Sequence, residues 1–289
     1  MADTLTPYIT RFAPSPTGAL HLGHAYSALI GNNRAHEHGG QFLLRIEDID
    51  TQRCRPEWEA AIYRDLHWLG LNWPKPVLRQ SSQSLAYQTA MARLFDLGLT
   101  YHCSCTRGDI RAALAAPQES AQALFGPDGP VYPGTCRNSN LRPDQAPALR
   151  LNIARALEGL SSVSFTETGY QSGVRFCTAK DMIATLGDVV LARKDIGVSY
   201  HLAVVVDDGA QNITEVVRGL DLQPATAIHQ LLQHHLGLPR PRYHHHHLIR
   251  DTAGKRLAKR DDARSLASFR AQGMACDDVL SALGLEKPL

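Results

Sequence analysis

The chain has 289 residues and a formal net charge of +2, from 30 Lys and Arg against 28 Asp and Glu, which is too small to announce a nucleic-acid partner by itself. At 44% hydrophobic and 20% charged it has the make-up of a soluble globular protein, which excludes a fibrous or disordered chain and leaves room for a sizeable core. The opening "MADTLTPYITRF" has no basic segment followed by an apolar run, and no apolar stretch reaches membrane-spanning length, so a cytoplasmic protein with no membrane partner is expected. Six cysteines without a secretory leader favour thiols or metal ligands over disulfides.

In chain order, "YITRFA" reads as a strand and "HLGHAYSALIGNNRAHEH" as a helix ended by Gly39 and Gly40. "QFLLRIEDI" reads as a buried strand, "PEWEAAIYRDLHWLGL" as a helix with Pro56 in its first turn, and "LAYQTAMARLFDLG" as a further helix. This β-α-β-α opening predicts an α/β fold with a parallel sheet, whose ligands bind beyond the carboxyl ends of the strands. Between about Gly108 and Pro147 the chain turns rich in Pro, Gly, Ala and Ser, as an insertion does. Strand-like runs return in "ALRLNI", "SVSFTE" and "YHLAVVVDD", then a helix in "PATAIHQLLQHHLGL" and a strand in "YHHHHLIR". No internal repeat is visible.

The segment "RFAPSPTGALHLGH" closes the first strand. Pro14 and Pro16 hold the chain extended, and Gly18 permits a sharp turn into the helix. The helix amino terminus offers free N–H groups and partial positive charge, which suits phosphate. His21 and His24, three apart, fall on one face of it, and Gly23 between them removes a side chain so that a flat ligand can lie close. Late in the chain, "GKRLAKR" places Lys255 and Lys259 in a basic loop.

A Pro-rich turn with H-x-G-H early and a Gly-Lys-x-x-x-Lys loop late, flanking an α/β sheet, resembles the two-part signature of class I aminoacyl-tRNA synthetases. "RFAPSPTGALHLGH", "LLRIEDID", "HLAVVVDD", "VVRGLDL" and "KRLAKR" are together similar to glutamyl-tRNA synthetases, in the expected order over residues 8–260. The chain stops soon after Arg260, where those enzymes continue into a helical anticodon-binding region. With "CSC", "YPGTC" and "AVVVDDGAQNITEVVRG", this resembles the glutamyl-Q tRNA(Asp) synthetases, a paralogous family that attaches glutamate to the queuosine base of tRNA(Asp).

The resemblance implies a Rossmann-type doubly wound parallel sheet with an inserted zinc-containing α/β subdomain. Its parts are a first half over 1–100, the insertion over 101–195, a second half through the lysine loop over 196–260, and a short helical tail over 261–289. It implies ATP-dependent activation of glutamate with Mg²⁺, then transfer to queuosine in the anticodon stem-loop of tRNA(Asp), by a monomer. His21, His24, Lys255 and Lys259 are the implied catalytic residues, and His21, Gly23, His24 and Lys259 the ATP contacts, stabilising charge on the transferred phosphorus. Glutamate presents two carboxylates and an ammonium, so its pocket needs cationic forks and an acid. The implied contacts are Arg11, Phe12, Ala13, Pro14, Ser15, Glu47, Tyr200 and Arg218, with Glu47 on the ammonium; which arginine takes which carboxylate stays open. Ala258 stands where the family usually has serine, losing a hydrogen bond worth about 0.5–1.5 kcal/mol. A truncated glutamyl-tRNA synthetase charging the 3′ end, a non-catalytic tRNA-binding relative and a small-molecule nucleotidylyltransferase are the competing readings.

Cysteine spacing adds an independent argument. In "YHCSC" an extended chain projects Cys103 and Cys105 to the same side, with His102 to the other. Cys136, beyond the insertion, makes three thiolates, an incomplete tetrahedral zinc site for which spacing alone favours a histidine or water as the fourth ligand. The family's Tyr-x-x-x-Cys pattern matches "YPGTC", so the resemblance implies Tyr132 as that ligand and one structural zinc per chain. Cys54, Cys177 and Cys276 have no partners at metal spacing. The internal "HHHH", His244–His247, lies in a strand whose alternation divides it between two faces, which disfavours a compact four-histidine site.

Overall fold

The protein is represented by a computed structural model that describes residues 7–115, 125–249 and 265–285. Its first elements are β1 (Ile9–Phe12), α1 (Leu22–Glu37), β2 (Gln41–Ile46), α2 (Pro56–Trp68), β3 (Leu78–Arg79) and α3 (Ser84–Asp96). Pro56 starts α2, where its missing N–H costs no intrahelical bond. Then come β4 (Thr100–Cys103), α4 (Arg107–Ala115), a hairpin of β5 (Phe125–Gly126) and β6 (Gly129–Pro130), β7 (Ala148–Leu151), α5 (Ile153–Ala156), β8 (Ser162–Glu167), β9 (Gly173–Thr178) and α6 (Ala179–Thr185). After β10 (Val190–Arg193) and β11 (Gly197–Val198) the chain runs through α7 (Tyr200–Ala210), β12 (Glu215–Gly219), α8 (Thr226–Leu236), β13 (Arg242–His246), α9 (Leu266–Ala271) and α10 (Cys276–Leu283).

β1, β2 and β3 run parallel, with Arg11 opposite Leu43 and Arg45 opposite Leu78. β12, β13 and β8 are also parallel, with Arg218 opposite His245, and β9 joins β8 antiparallel. β12 lies beside β1: the Thr214 N–H donates to the Ile9 carbonyl at 3.0 Å, and the Ile9 N–H to Thr214 Oγ1 at 2.8 Å. The succession β3-β2-β1-β12-β13-β8-β9 is the doubly wound layout expected, with the cleft where strand order reverses. One apolar cluster unites α1, α2, α9 and α10 through Leu29, Leu66, Phe269 and Leu280, and a second unites α3, α7 and α8 through Leu94, Val204 and Leu231. A separate antiparallel sheet, β11-β10-β7-β4, ends its β4 on Cys103. Among the described residues no helix is long and apolar enough to cross a membrane.

"YHLAVVVDD" is a helix, not the strand its β-branched run suggests. His201 to Asp208 are all buried, because α3, α8 and β10 cover α7 on different sides. A helix covered all round has no polar stripe, so the period that identifies helices is erased, and packing overrides the weak strand preference of three valines.

Beyond the lysine loop, the Leu266 N–H donates to the Leu20 carbonyl at 2.8 Å, and Ser265 bridges His21 antiparallel. Arg270 then reaches Asp65 of α2 at 2.7 Å, where the carboxylate is fully buried and the arginine 34% exposed. Breaking a fully buried pair costs roughly 3–5 kcal/mol, and water around Arg270 reduces this, so Arg270→Ala should lower the unfolding free energy by about 2 kcal/mol in a urea titration.

Candidate functional site

The histidine turn is built from its own side chains. His21 is the N-cap of α1 in extended geometry; its Nδ1 accepts the Gly23 N–H at 3.1 Å, and the His21 N–H donates to Nδ1 of His24 at 3.2 Å. The centroids of the two rings lie 3.8 Å apart, with the planes tilted by 36°. A Cβ on Gly23 would lie 3.1 Å from Cε1 of His21, so glycine is what lets that ring fold over the helix end. The result is a helix amino terminus roofed by two imidazoles, a geometry suited to an anion. Phe12 to Ser15 lead into it, and the Pro14 carbonyl accepts the Glu47 N–H at 3.0 Å, tying the turn to the end of β2.

Strand alternation places Arg11, Arg45 and Glu47 on one side of the sheet, since Arg11 is level with Leu43 and the others follow two and four residues later. Asp208 of α7 meets them. It accepts Arg11 Nε at 2.9 Å and Nη2 at 3.4 Å, and Arg45 Nη1 at 2.7 Å; Arg45 Nη2 also reaches Glu47 at 3.2 Å. Burial pushes all three carboxyls Glu47, Asp207 and Asp208 upward, but the two guanidiniums hold Asp208 below the ordinary carboxylate range while Glu47 and Asp207 stay above it. Asp207 takes further bonds from Gln80 at 2.8 Å and Tyr87 at 2.9 Å. Arg45, Asp207 and Asp208 are the site residues that sequence reasoning did not single out, although "RIEDID" and "VVVDD" contain them. The signal was two adjacent acids inside an apolar run, a placement that demands buried cations.

Arg218, near the end of β12, is 4% exposed, and among the described residues its hydrogen bonds go to His245, His229 and Thr226. Tyr200, at the start of α7, stands between the two arginine environments. Burial raises its phenol pKa, while Arg218, Glu47, Arg11 and Asp208 all lie within electrostatic range of it. Arg11, Glu47, Tyr200 and Arg218 thus converge, though drawn from four segments. Tyr200, His24, Glu47 and the Phe12–Ser15 stretch also line a cavity of about 1510 Å³ that extends to Cys105 and Tyr132. Lys255, Ala258 and Lys259 lie outside the described residues.

The cysteines gather at the end of β4. Ligand atoms of Cys103, Cys105 and Cys136 lie within 4.8 Å of one another, the one such metal-ligating group among the described residues. Tyr132 completes the set: its hydroxyl is 3.4 Å from the sulfurs of both Cys103 and Cys105, and accepts the Cys136 N–H at 2.9 Å. Burial opposes ionisation of Cys136, but hydrogen bonds, Tyr132's first, pull its thiol down to about 6, whereas burial pushes Cys105 up to about 11. Burial, reinforced by hydrogen bonds to the three cysteines, holds the Tyr132 phenol well above its ordinary pKa, and the Arg150 guanidinium sits 3.8 Å over its ring. Three sulfurs and an oxygen converging this closely fit a tetrahedral metal ion. The histidine run has separate partners instead: His244 meets Thr168, His245 meets Glu167, and His246 meets Ser27.

A family model described as tRNA synthetases class I (E and Q), catalytic domain, matches residues 8–285. The chain belongs to this family. It is a ligase-type enzyme with the class I synthetase fold. The chain is 54% identical to a Rhodobacter capsulatus protein named Glutamyl-Q tRNA(Asp) synthetase, over 96% of this chain and 100% of that one. It is 41% identical to the Deinococcus radiodurans protein of the same name, over 96% and 88%. Among solved class I structures, a glutamate tRNA ligase from Elizabethkingia meningosepticum superposes with a TM-score of 0.75 at 26% identity, covering 98% of this chain. The Elizabethkingia anophelis glutamate-tRNA synthetase gives 0.74 at 26% identity over 93%. The chain spans 62% and 59% of those two proteins.

Asp208→Asn removes the anion shared by two buried arginines and should cost about 3–5 kcal/mol of unfolding free energy at neutral pH. Asp208 is held below its unfolded pKa, so its contribution is present above that value and lost as pH falls through the folded one. Urea titrations at falling pH should therefore show the gap between wild type and variant closing, from the wild-type side.

Proposed function

We propose that this enzyme activates glutamate with ATP and transfers it to queuosine in the anticodon stem-loop of tRNA(Asp). The observation that carries the reading is the 54% identity to a protein of that name, against 26% to the glutamate ligases. Glutamate's two carboxylates and ammonium call for Arg11, Arg218 and Glu47, with the Tyr200 hydroxyl among them and Phe12–Ser15 as the wall. ATP lies against the histidine turn, its phosphates gripped by His21, His24 and, from the other side, Lys255 and Lys259, with Gly23 beneath.

In the first step a carboxylate oxygen of glutamate attacks the α-phosphorus of ATP; the bond to pyrophosphate breaks and glutamyl-adenylate forms. Mg²⁺ entering with ATP neutralises charge on the leaving pyrophosphate. A hydroxyl oxygen of the acceptor then attacks the activated carbonyl, forming an ester as the bond to AMP breaks and the hydroxyl proton is released. The histidines and lysines supply fixed electrostatic stabilisation throughout, and no covalent enzyme intermediate is required. Cys103, Cys105, Cys136 and Tyr132 would hold one zinc ion, which supplies a structural cross-link for the insertion.

Glutamate should support ATP–pyrophosphate exchange, with glutamine and aspartate weak. A queuosine-bearing tRNA(Asp) anticodon stem-loop should accept the glutamate and a CCA-ended acceptor minihelix should not. Charging of the 3′ adenosine without regard to queuosine would favour a glutamyl-tRNA synthetase activity instead. Elemental analysis should find about one zinc per chain, lost in Cys103→Ser or Cys105→Ser with the main sheet still folded.

A further inference from the structure

Arg11 and Arg218 face the same proposed ligand from opposite electrostatic conditions. Arg11 is already bound by Asp208 through two nitrogens. Arg218 has no carboxylate in salt-bridge range among the described residues. Its Nε donates to Nε2 of His245 at 3.1 Å, its Nη1 to Nδ1 of His229 at 3.1 Å, and its Nη2 to Oγ1 of Thr226 at 2.8 Å.

Those bonds determine the proton positions beyond them. Arginine has donors and no acceptor, so both ring nitrogens facing it must be unprotonated. His245 therefore carries its proton on Nδ1 and donates it to Glu167 at 2.5 Å. His229 carries its proton on Nε2 and donates to Nδ1 of His201 at 3.1 Å, and His201 donates from Nε2 to Asp128 at 2.8 Å. Two donor arms therefore run outward from Arg218, one through His229 and His201 to Asp128 and the other through His245 to Glu167. Burial, reinforced by Arg218, keeps the His229 pKa well below its ordinary value, so that ring remains an acceptor.

We propose that His229 and His245, oriented from behind by His201 with Asp128 and by Glu167, are positioning residues that hold Arg218 rigid with its charge uncancelled. The proposal rests on the glutamate reading above. A neutral ring nitrogen fixes a guanidinium N–H as firmly as it needs, whereas a carboxylate there would spend the charge that must attract the substrate. Glu167 stands one histidine away from Arg218, and Asp128 two. Three of the five guanidinium N–H groups are occupied, and the two that remain, one on each terminal nitrogen, are the number a carboxylate accepts in a fork. His229 and Arg218 are 2% and 4% exposed, while His201 lines the cavity and Asp128 sits in the turn between β5 and β6. The insertion thereby reaches the pocket through two histidines.

Calorimetric titration of the full chain with glutamate, and separately with ATP, tests this in wild type, His229→Leu, His229→Gln and Asp128→Ala. His229→Leu should weaken glutamate binding about tenfold or more with ATP affinity held within about twofold, as expected when an orienting partner is lost. His229→Gln, whose amide oxygen can accept from Nη1, should recover much of the loss. Asp128→Ala, at the solvent end and outside the packed core, should weaken glutamate about threefold and tests the His229 arm should the leucine variant not fold. Glutamate affinity unchanged in Asp128→Ala and in the foldable His229 variants, or glutamate and ATP affinities falling by the same factor, would overturn the proposal. Wild-type protein that binds no glutamate would remove the functional reading and the proposal with it, a result visible before any variant is compared.

Discussion

Asp208 is the point on which the site's architecture turns. One carboxylate accepts from Arg11 of β1 and Arg45 of β2, so two neighbouring strands and helix α7 are fastened where the apolar core gives way to the cleft. Neither arginine could be buried there without it, since a lone guanidinium in that environment would carry an unrecovered desolvation cost of several kcal/mol. Glu47 and Asp207 extend the arrangement to three carboxyls against two guanidiniums, which leaves an acidic surplus beside the cavity. Burial lifts two of those carboxyls above their ordinary range, so the surplus is held at an energetic cost that a ligand cation would relieve.

The electrostatic design is asymmetric as a consequence. On one side lies a cluster with more carboxyls than guanidiniums, and on the other a cation that, among the described residues, hydrogen-bonds to histidines and a threonine. An amphoteric ligand such as an amino acid matches that asymmetry in one orientation, since reversal would set like charges together. The phenol of Tyr200 occupies the boundary, and the roofed end of α1 adds a positive pole.

The early elements were legible because each shows its period or punctuation openly: Pro56 begins a helix, Gly39 and Gly40 end one, and β1 and β2 alternate or run apolar as buried strands do. α7 was misread for the opposite reason, complete coverage. Arg45 and Asp208 stayed hidden because a one-dimensional reading gives a buried charge no partner, and these partners lie 163 residues apart in sequence. The two cysteines of "CSC" were visible by strand alternation. Tyr132 was not, because phenolate is an uncommon ligand whose nearness to sulfur depends on the loop bending its hydroxyl under the Cys136 N–H; only resemblance named it. The convergence of His201, His229 and His245 left no sequence trace, as each belongs to a different element.

The seam between Leu20–His21 and Ser265–Leu266 binds the histidine turn to chain emerging from the lysine loop. During synthesis the first strand and helix leave the ribosome long before residues 265–285 exist, and β1 must likewise wait for β12. Such non-local closure is slow to form and leaves apolar faces of α1 and α2 bare in the interval. The histidine turn is thus left without its partner segment until nearly all of the described chain has been made.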